Sequence, residues 1–424
     1  MIQNGGGDPN DGLSAAISAS QFKTAEYLVQ AGATATSDHV SRVAGVGNIV
    51  LLKVLIEEGQ GDPNDGLGGA IAASKSSAAE YLIQAGATAS ATHVKQVATA
   101  GNKELMKMLL EEGQGDANDG LAAALGASQF SMAEFLIKKG AQPDGVVKIA
   151  VEQQQMSLLL TALDTQADPA PGLAAAINDN ATDYAKLLIE RGAPATEDSY
   201  IATAAGANNL ELVNLLLAAG GSAQAGMNAA VNANAPDIVG VLISSGAKAA
   251  DDELLSSSVV HNNVALTKLL VEAGGDPSAG LEDAVRSAPL VLEYFVAEGV
   301  DVSDQAYLNT AIGMNNAKVA KILMENGCNP LFIDASGNNY LHRVTSNGGT
   351  GMINLLVGKG VDINATNGSG QTPLHIAVKV GRKNLPMVQA IINAGADVNV
   401  KNRNGETARD LAKGSKIKRA LKKA

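Results

Sequence analysis

The phrase GGGDPNDGL at Gly5 returns as GQGDPNDGL at Gly59 and as GQGDANDGL at Gly113, two steps of 54 residues. A period of this kind commits a chain to stacked copies of one small unit. No copy can bury its own apolar face, so a neighbour must do it. Each block of 54 holds two half-units, because Gly32, Gly59, Gly86, Gly113 and Gly140 lie 27 apart and close runs such as AEYLVQAGA at Ala25–Ala33. Further on the spacing loosens: Ala167, Gly192, Gly220, Gly246, Gly274, Gly299 and Gly327 follow at intervals of 25 to 28. The runs LLLTAL, AKLLIERGA, VNLLLAAGG, IVGVLISSGA, TKLLVEAGG, LEYFVAEGV and AKILMENGC lead up to them. The count is about fourteen helix pairs and a C-terminal helix from about Thr407. No linker breaks the series, so one continuous solenoid is expected.

Composition suits many short helices packed through small side chains. Of 424 residues, 46% are hydrophobic but only 3% aromatic, tryptophan is absent, and alanine and glycine abound. The single cysteine, Cys328, excludes an intramolecular disulfide and a cysteine-cluster metal site. The opening MIQNGGGDPN has neither a basic start nor an apolar run, so no secretory signal is read there. No stretch reaches the length of a membrane span, and a cytoplasmic location is the expectation. The formal charge of −12 is unevenly placed. Residues 401–424 hold nine Lys/Arg against two Asp/Glu, which leaves 22 against 41, a net −19, in residues 1–400. A body that acidic repels nucleic acid and anionic membranes and favours a basic partner.

The stretch Gly360 to Ala396 reads GVDINATNGSGQTPLHIAVKVGRKNLPMVQAIINAGA. Thr372 is placed to N-cap a helix, and Pro373 follows at the first helical position, where its missing N–H costs nothing. Leu374, Ala377 and Val378 form the apolar face of a short helix ending near Gly381. A second helix, Met387 to Asn393, is apolar at Met387, Val388, Ile391 and Ile392, and Gly395 stops it in the left-handed conformation. Turn-rich links of hairpin type flank the pair. TPLH at Thr372–His375, AGADVN at Ala394–Asn399 and NG at Asn404–Gly405 make this region resemble the ankyrin repeat. Gly327 to Gly360 resembles another such unit of the 33-residue period, with Asn339-Tyr340-Leu341-His342 in the TPLH slot, and NGETARDLA at Asn404–Ala412 resembles a terminal one.

The half-units near the N-terminus resemble the two-helix part of the same repeat. AEYLVQAGA takes the place of the second helix, and Asp11-Gly12-Leu13 takes the place of Thr-Pro-Leu, with Asp11 as the N-cap. Gly32 to Asp38 is six steps where Gly360 to Thr372 is twelve, so the projecting finger is missing. The fold implied is an all-α solenoid of ankyrin-like helix-turn-helix repeats, with short β-hairpin fingers only near the C-terminus. Residues 1–326 would be shortened repeats, and residues 327–424 full-length repeats with a capping helix. In ankyrin proteins the fingers and first helices line a concave face that grips a partner protein. Carried over, that face is presented by Asp334, Ser336 and Asn338, by Asn367, Ser369 and Gln371, and by Lys401, Arg403 and Asn404. Where fingers are missing, short loops around Asp8, Asp11, Asp62, Asp65, Asp116 and Asp119 form an acidic row.

Motifs that carry catalysis are absent. Asp8, Asn10 and Asp11 have the composition of a calcium loop, but the twelfth residue from Asp8 is Ala19 where an EF-hand needs glutamate. A turn leading into an aspartate cap explains the same residues. His342 and His375 fall in the TPLH slot, where the resemblance implies a structural ring bonded to the backbone of the loops between units. His39 and His93 stand 54 apart beside two equivalent N-caps, and His261 stands alone. None has metal-ligand spacing, and no serine sits in GxSxG. Gly348–Gly351 lacks the lysine of a phosphate loop and reads as a turn, as does Asn4–Gly7. No catalytic residue, metal ligand or cofactor is assigned.

Tyr27, Tyr81 and Phe135, 54 apart, read as a core stripe. Tyr340, Phe332 and Arg403 are the best candidates for exposed interface anchors. The tail from Lys416 to Lys423 is basic, with Ile417 and Leu421 four apart, and reads as the outer face of a cap; a localisation signal or an acidic-partner contact is the other reading. Met1–Gly5 resembles the tail LIQAG at Leu82–Gly86, and no full polar pair precedes Asp11, so either the first pair is soluble by itself, or further sequence precedes it, or the N-terminal end is a surface for self-association. The expected function is a non-enzymatic protein-binding scaffold with an acidic face. The alternative is an acidic mimic of nucleic acid that blocks an enzyme acting on DNA or RNA.

Overall fold

Asp62 shows how every second unit near the N-terminus starts. Its carboxylate accepts from the Asn64 N–H at 2.9 Å, Pro63 sits in the first turn, and the helix Pro63–Ala72 follows. Asp116 does the same for Ala117–Gly126, and Asp8 accepts from Asn10 N–H at 2.9 Å at the head of Asn10–Ser18. This corrects the expectation for Asp11, which lies inside the first turn with Asp65 and Asp119. The helix begins at Asn10, two residues before the start that an Asp11 cap would set, because the Asp-Pro-Asn turn already engages its first N–H groups. Alternate units begin differently. Thr36 and Ser90 cap the helices Ser37–Val46 and Ala91–Ala100 in capping boxes completed by His39 and His93, as Thr372 and His375 do for Pro373–Lys379.

The computed structural model describes residues 8–347, 349–381 and 384–423. The readings of Met1–Gly5, Asn4–Gly7, Gly348 and Ala424 lie outside them. Among the described residues run thirty α-helices of four to ten residues and one 3-10 turn. Helices this short are marginal alone. Twenty-eight of them form fourteen successive helix pairs; among those up to Ala195, and again among those from Thr196, first helices pack mainly on first helices and second helices on second helices. No helix among the described residues is long and apolar enough to cross a membrane. The second helix expected from Met387 begins at Leu385. The expected capping helix is two helices, Ala408–Leu411 and Ser415–Lys423, parted at Gly414, whose φ is +123°. Ile417 and Leu421 of the latter are buried against the preceding unit, while Lys416, Lys418 and Arg419 are exposed.

The chain divides into two compact units, one ending at Ala195 and the other starting at Thr196. The change of character expected at Gly327 lies inside the second. In that unit one apolar core runs from Val259 through Phe295, Leu323, Tyr340, Leu374 and Ile391 to Leu421. The first unit is held by equivalent leucines, valines and alanines, such as Leu28, Leu55, Leu82, Leu109 and Leu136.

The 54-residue period is a packing period. A β-carbon on Gly69 would stand 2.4 Å from the Ser41 carbonyl oxygen, so the helices Ser37–Val46 and Pro63–Ala72 touch backbone to backbone. One turn away, a β-carbon on Gly66 would meet Val40 Cγ1 at 3.0 Å and Leu82 Cδ1 at 2.9 Å. The same knob and hole recur as Val94 on Gly120, Val147 on Gly172, Ile201 on Gly226 and Val259 on Gly280. The doubled unit therefore persists past Gly140, where the sequence spacing loosens. Helix ends alternate too: Gly32, Gly86 and Gly140 are left-handed, whereas beside Gly59 and Gly113 the left-handed residues are Gln60 and Gln114.

Two aromatic expectations are overturned. Tyr27 is 45% exposed, and Tyr81 and Phe135 are half-buried, because the buried stripe of their helix runs through Ala25, Leu28, Val29 and their equivalents. Tyr340 is fully buried, its ring 5.9 Å from Phe332 and its hydroxyl donating to Asn309 Oδ1 at 2.9 Å.

Candidate partner-binding surface

Each finger is a turn built on one side chain. Asp334 Oδ1 accepts from the N–H groups of Ser336 and Asn338, both at 2.9 Å. Asn367 Oδ1 accepts from Ser369 and Gln371, both at 3.0 Å, and Asn402 Oδ1 from Asn404 at 2.9 Å and Glu406 at 3.0 Å. Gly337, Gly370 and Gly405, with φ of 77°, 72° and 78°, close the turns. Pairing is limited to isolated antiparallel bridges, Ile333 with Asn339 and Lys401 with Thr407; no named strand occurs among the described residues. The expected β-hairpin fingers are therefore tight turns, since Asp or Asn takes the N–H groups that a longer ladder would use.

The fingers hold one another. Gly368 N–H donates to Ser336 O at 2.8 Å, and Asn367 Nδ2 donates to Asn338 Oδ1 at 2.9 Å. The histidines fix their height. His342 accepts from Asn339 N–H at Nδ1 and donates from Nε2 to Gln371 O at 2.9 Å; His375 likewise accepts from Thr372 N–H and donates to Glu406 O at 3.1 Å. Burial pushes both rings below the ordinary imidazole pKa, which suits the neutral tautomer this pattern requires. Where no finger follows, His39 Nε2 turns instead to Ser14 Oγ at 2.6 Å.

The nine finger candidates thus separate into two sets. Asp334, Asn338, Asn367 and Gln371 are half-buried in the finger scaffold, and Ser336, Ser369, Lys401, Arg403 and Asn404 are exposed at the tips. Hydrogen bonds from Asn338 and Ser336 hold the Asp334 carboxyl below the usual range, so it stays ionised.

In the shortened units an asparagine does the finger's stitching. Asn64 Oδ1 accepts from the Thr88 N–H at 2.9 Å, 24 residues on, and Asn10 and Asn118 accept likewise from Thr34 and Gln142. Gln224 and Gln305 reach the N–H groups of Lys248 and Asn329 in the same way. The acidic loops lie beside these tethers. Asp8, Asp11, Asp62 and Asp116 are exposed, and Asp65 and Asp119 are half-buried. Bonds from Asn10 and Asn64 lower the carboxyl pKa of Asp8 and Asp62. Those carboxylates are engaged by N–H donors, and among the described residues no group of three or more His, Cys, Asp or Glu is placed to hold a metal ion.

Sequence reasoning missed a cluster on the first helices. Glu282, Arg286, Tyr307 and Thr310 line a hollow of about 160 Å³. Nearby, Arg343 Nη1 donates to Asn309 Oδ1 at 2.7 Å, and its guanidinium stands 5.8 Å from the Tyr340 ring centre. Tyrosine and arginine side by side on a repeat face are the anchor chemistry of protein interfaces. Their position in first helices was the available signal. Cys328 adds no chemistry: its buried thiol donates to Val302 O at 3.3 Å, and burial pushes its pKa up.

No curated protein matches the chain. Residues 308–402 and 341–421 match the family described as ankyrin repeats (3 copies). That span holds the three Asx-closed turns, both TPLH-slot histidines and the glycine-stopped second helices. The C-terminal region, residues 308–421, is built of ankyrin repeats, and the helix pairs before it are consistent with further repeats of the same kind.

Proposed function

We propose that the chain is a non-enzymatic scaffold that binds a partner protein with a basic surface. The partner lies along the side formed by the first helices and the loops that lead into them. The observation that carries this reading is the recurrence, every 54 residues, of an exposed aspartate at a helix start: Asp8, Asp62 and Asp116. Asp11, Asp65 and Asp119 add charge one turn on, and the body to residue 400 carries a net −19. Residues 1–326 supply the acidic, fingerless part of the surface, and residues 327–424 supply the fingers, with Ser336, Ser369, Lys401, Arg403 and Asn404 at the tips. Ankyrin repeats in 308–421 support protein recognition as the role.

Charge spacing favours a protein partner over mimicry of nucleic acid. Helices packed 8–10 Å apart put aspartates of alternate units about 20 Å from one another. Duplex DNA carries a charge about every 1.7 Å.

The test is affinity capture with a salt gradient, followed by binding measurements on the captured protein. Asp8→Asn, Asp62→Asn and Asp116→Asn together keep the helix caps, since asparagine caps as well as aspartate, and remove three charges. The expected result is a basic partner released by salt and bound at least tenfold more weakly by the triple variant. Affinity insensitive to salt and to the triple variant refutes the reading, and competition by duplex DNA for the captured protein selects the mimic instead.

A further inference from the structure

The second helices carry a recurring line of half-buried apolar residues one side chain away from solvent. Tyr81, Leu215, Val241, Leu269 and Tyr294 each stand five residues before the terminal left-handed glycine. In one unit the residue just before this line reaches over the next: Lys53 Nζ is 5.5 Å from the centre of the Tyr81 ring. The position of Lys53 is taken by Lys186, Asn214, Lys268 and Glu293 in later units, but by Gly240 in one. Leu269 is the residue that Gly240 leaves uncovered. A β-carbon at Gly240 would find nothing within 4 Å.

The result is a groove of about 850 Å³ between the helices Pro236–Ser244 and Val264–Glu272. Gly240 and Ser244, four residues apart, make one wall low, Ala265 makes the other low, and Val241 and Leu269 form an apolar floor. Small residues at this spacing let a third helix approach the backbone closely. The ends of the groove are acidic. Asp237 lies in the first turn of one helix and Glu272 at the end of the other. Counted from the terminal glycines Gly246 and Gly274 they are seven positions apart, about 10 Å along a helix axis. Lys268 also lines the groove and makes an exposed ion pair with Glu272 at 3.6 Å, of a kind worth little that an incoming cation can share, and no ion pair to Asp237 occurs among the described residues.

We propose that this groove, lined by second helices and sharing no residue with the fingers, docks an amphipathic helix of a partner protein. That helix has leucine-sized apolar residues on one face and lysine or arginine at positions seven apart, which meet Asp237 and Glu272.

A stapled helical peptide with lysines seven residues apart and leucines between is the probe, and the same peptide with glutamates in place of the lysines is its control. Fluorescence anisotropy on the full chain reads binding. The key variant is Gly240→Glu, which restores the residue type of Glu26, Glu80 and Glu134 and so suits the fold. It adds a negative charge, so simple electrostatics strengthens lysine-peptide binding, whereas a filled notch weakens it. The expected result is at least tenfold weaker binding by Gly240→Glu, and again by Ala265→Glu on the opposite wall, with unchanged circular dichroism. The glutamate peptide binds the native chain at least tenfold more weakly than the lysine peptide. Binding unchanged or strengthened in both variants, or equal binding of the two peptides, overturns the proposal. A concentration-dependent dimer that Gly240→Glu dissolves also overturns it, because the occupant is then a second copy of the chain.

Discussion

The same substitution, glycine to alanine, is expected to act with opposite signs at Gly69 and Gly240. Both lie inside helices, Pro63–Ala72 and Pro236–Ser244, and alanine in a helix interior is favoured over glycine by about 0.8–1.0 kcal/mol. At Gly240 nothing stands within 4 Å of the new methyl group, so Gly240→Ala should stabilise by about 0.5–1 kcal/mol. At Gly69 the methyl group would lie 2.4 Å from the Ser41 carbonyl oxygen and 2.9 Å from its Oγ. A backbone oxygen cannot rotate away, so the two helices must separate. Overpacking of this kind costs about 1–3 kcal/mol, and a clash with backbone belongs in the upper half of that range. After subtracting the propensity gain, Gly69→Ala should destabilise by about 1–2 kcal/mol. Urea unfolding followed by far-UV circular dichroism measures both, with amide exchange in each helix as a local check, since long repeat arrays can lose two-state behaviour. A Gly69→Ala protein as stable as the native chain would refute the claim that these helices meet backbone to backbone.

Three further outcomes are expected. Asn64→Ala removes the tether to Thr88 and should cost about 1 kcal/mol, raising amide exchange at Thr88, while Asn64→Asp, which keeps the acceptor, restores protection. His342 and His375 are held below their ordinary 6.5 by burial. Their contribution is therefore full above pH 6.5 and shrinks as pH falls through that value, because the unfolded rings take up protons first. Asp334 faces His342, and Lys379 and Glu406 flank His375, so the slope should be read against a His342→Gln/His375→Gln chain, which is flatter over the same window. Ile417→Ala should destabilise the last unit by about 2–5 kcal/mol, whereas Lys418→Ala, on the exposed side of the same helix, should leave its melting unchanged.

Helix pairs and their number were legible because glycine stops and apolar runs are local signals. Thr372, Pro373 and Gly395 announced their roles directly. Asp11 misled because two aspartates stand three apart in the same motif, and only the geometry of the Asp-Pro-Asn turn decides which one caps. Tyr27 misled because its helix is short, so a shift of two residues moves a side chain from core to surface. Tyr340 was taken for an anchor from residue type alone, although burial is decided by Phe332 and Asn309, which come from other elements. The stretches that form the finger turns were legible from the repeat spacing, but which of their side chains build the turn and which lie exposed depends on Asx hydrogen bonds that composition does not reveal. The tether from Asn64 to Thr88 spans 24 residues and has no local signature beyond the repeated asparagine.

The knobs Val40, Val94, Val147, Ile201 and Val259 belong to one kind of unit, and the holes Gly66, Gly120, Gly172, Gly226 and Gly280 to the other. The chain is thus written in two alternating letters that fit only in one order. Gain or loss of two adjacent letters leaves these five seams matched, whereas removal of one letter sets knob against knob or hole against hole. A chain built this way can change length without mismatching these contacts in blocks of 54 residues but not in steps of 27.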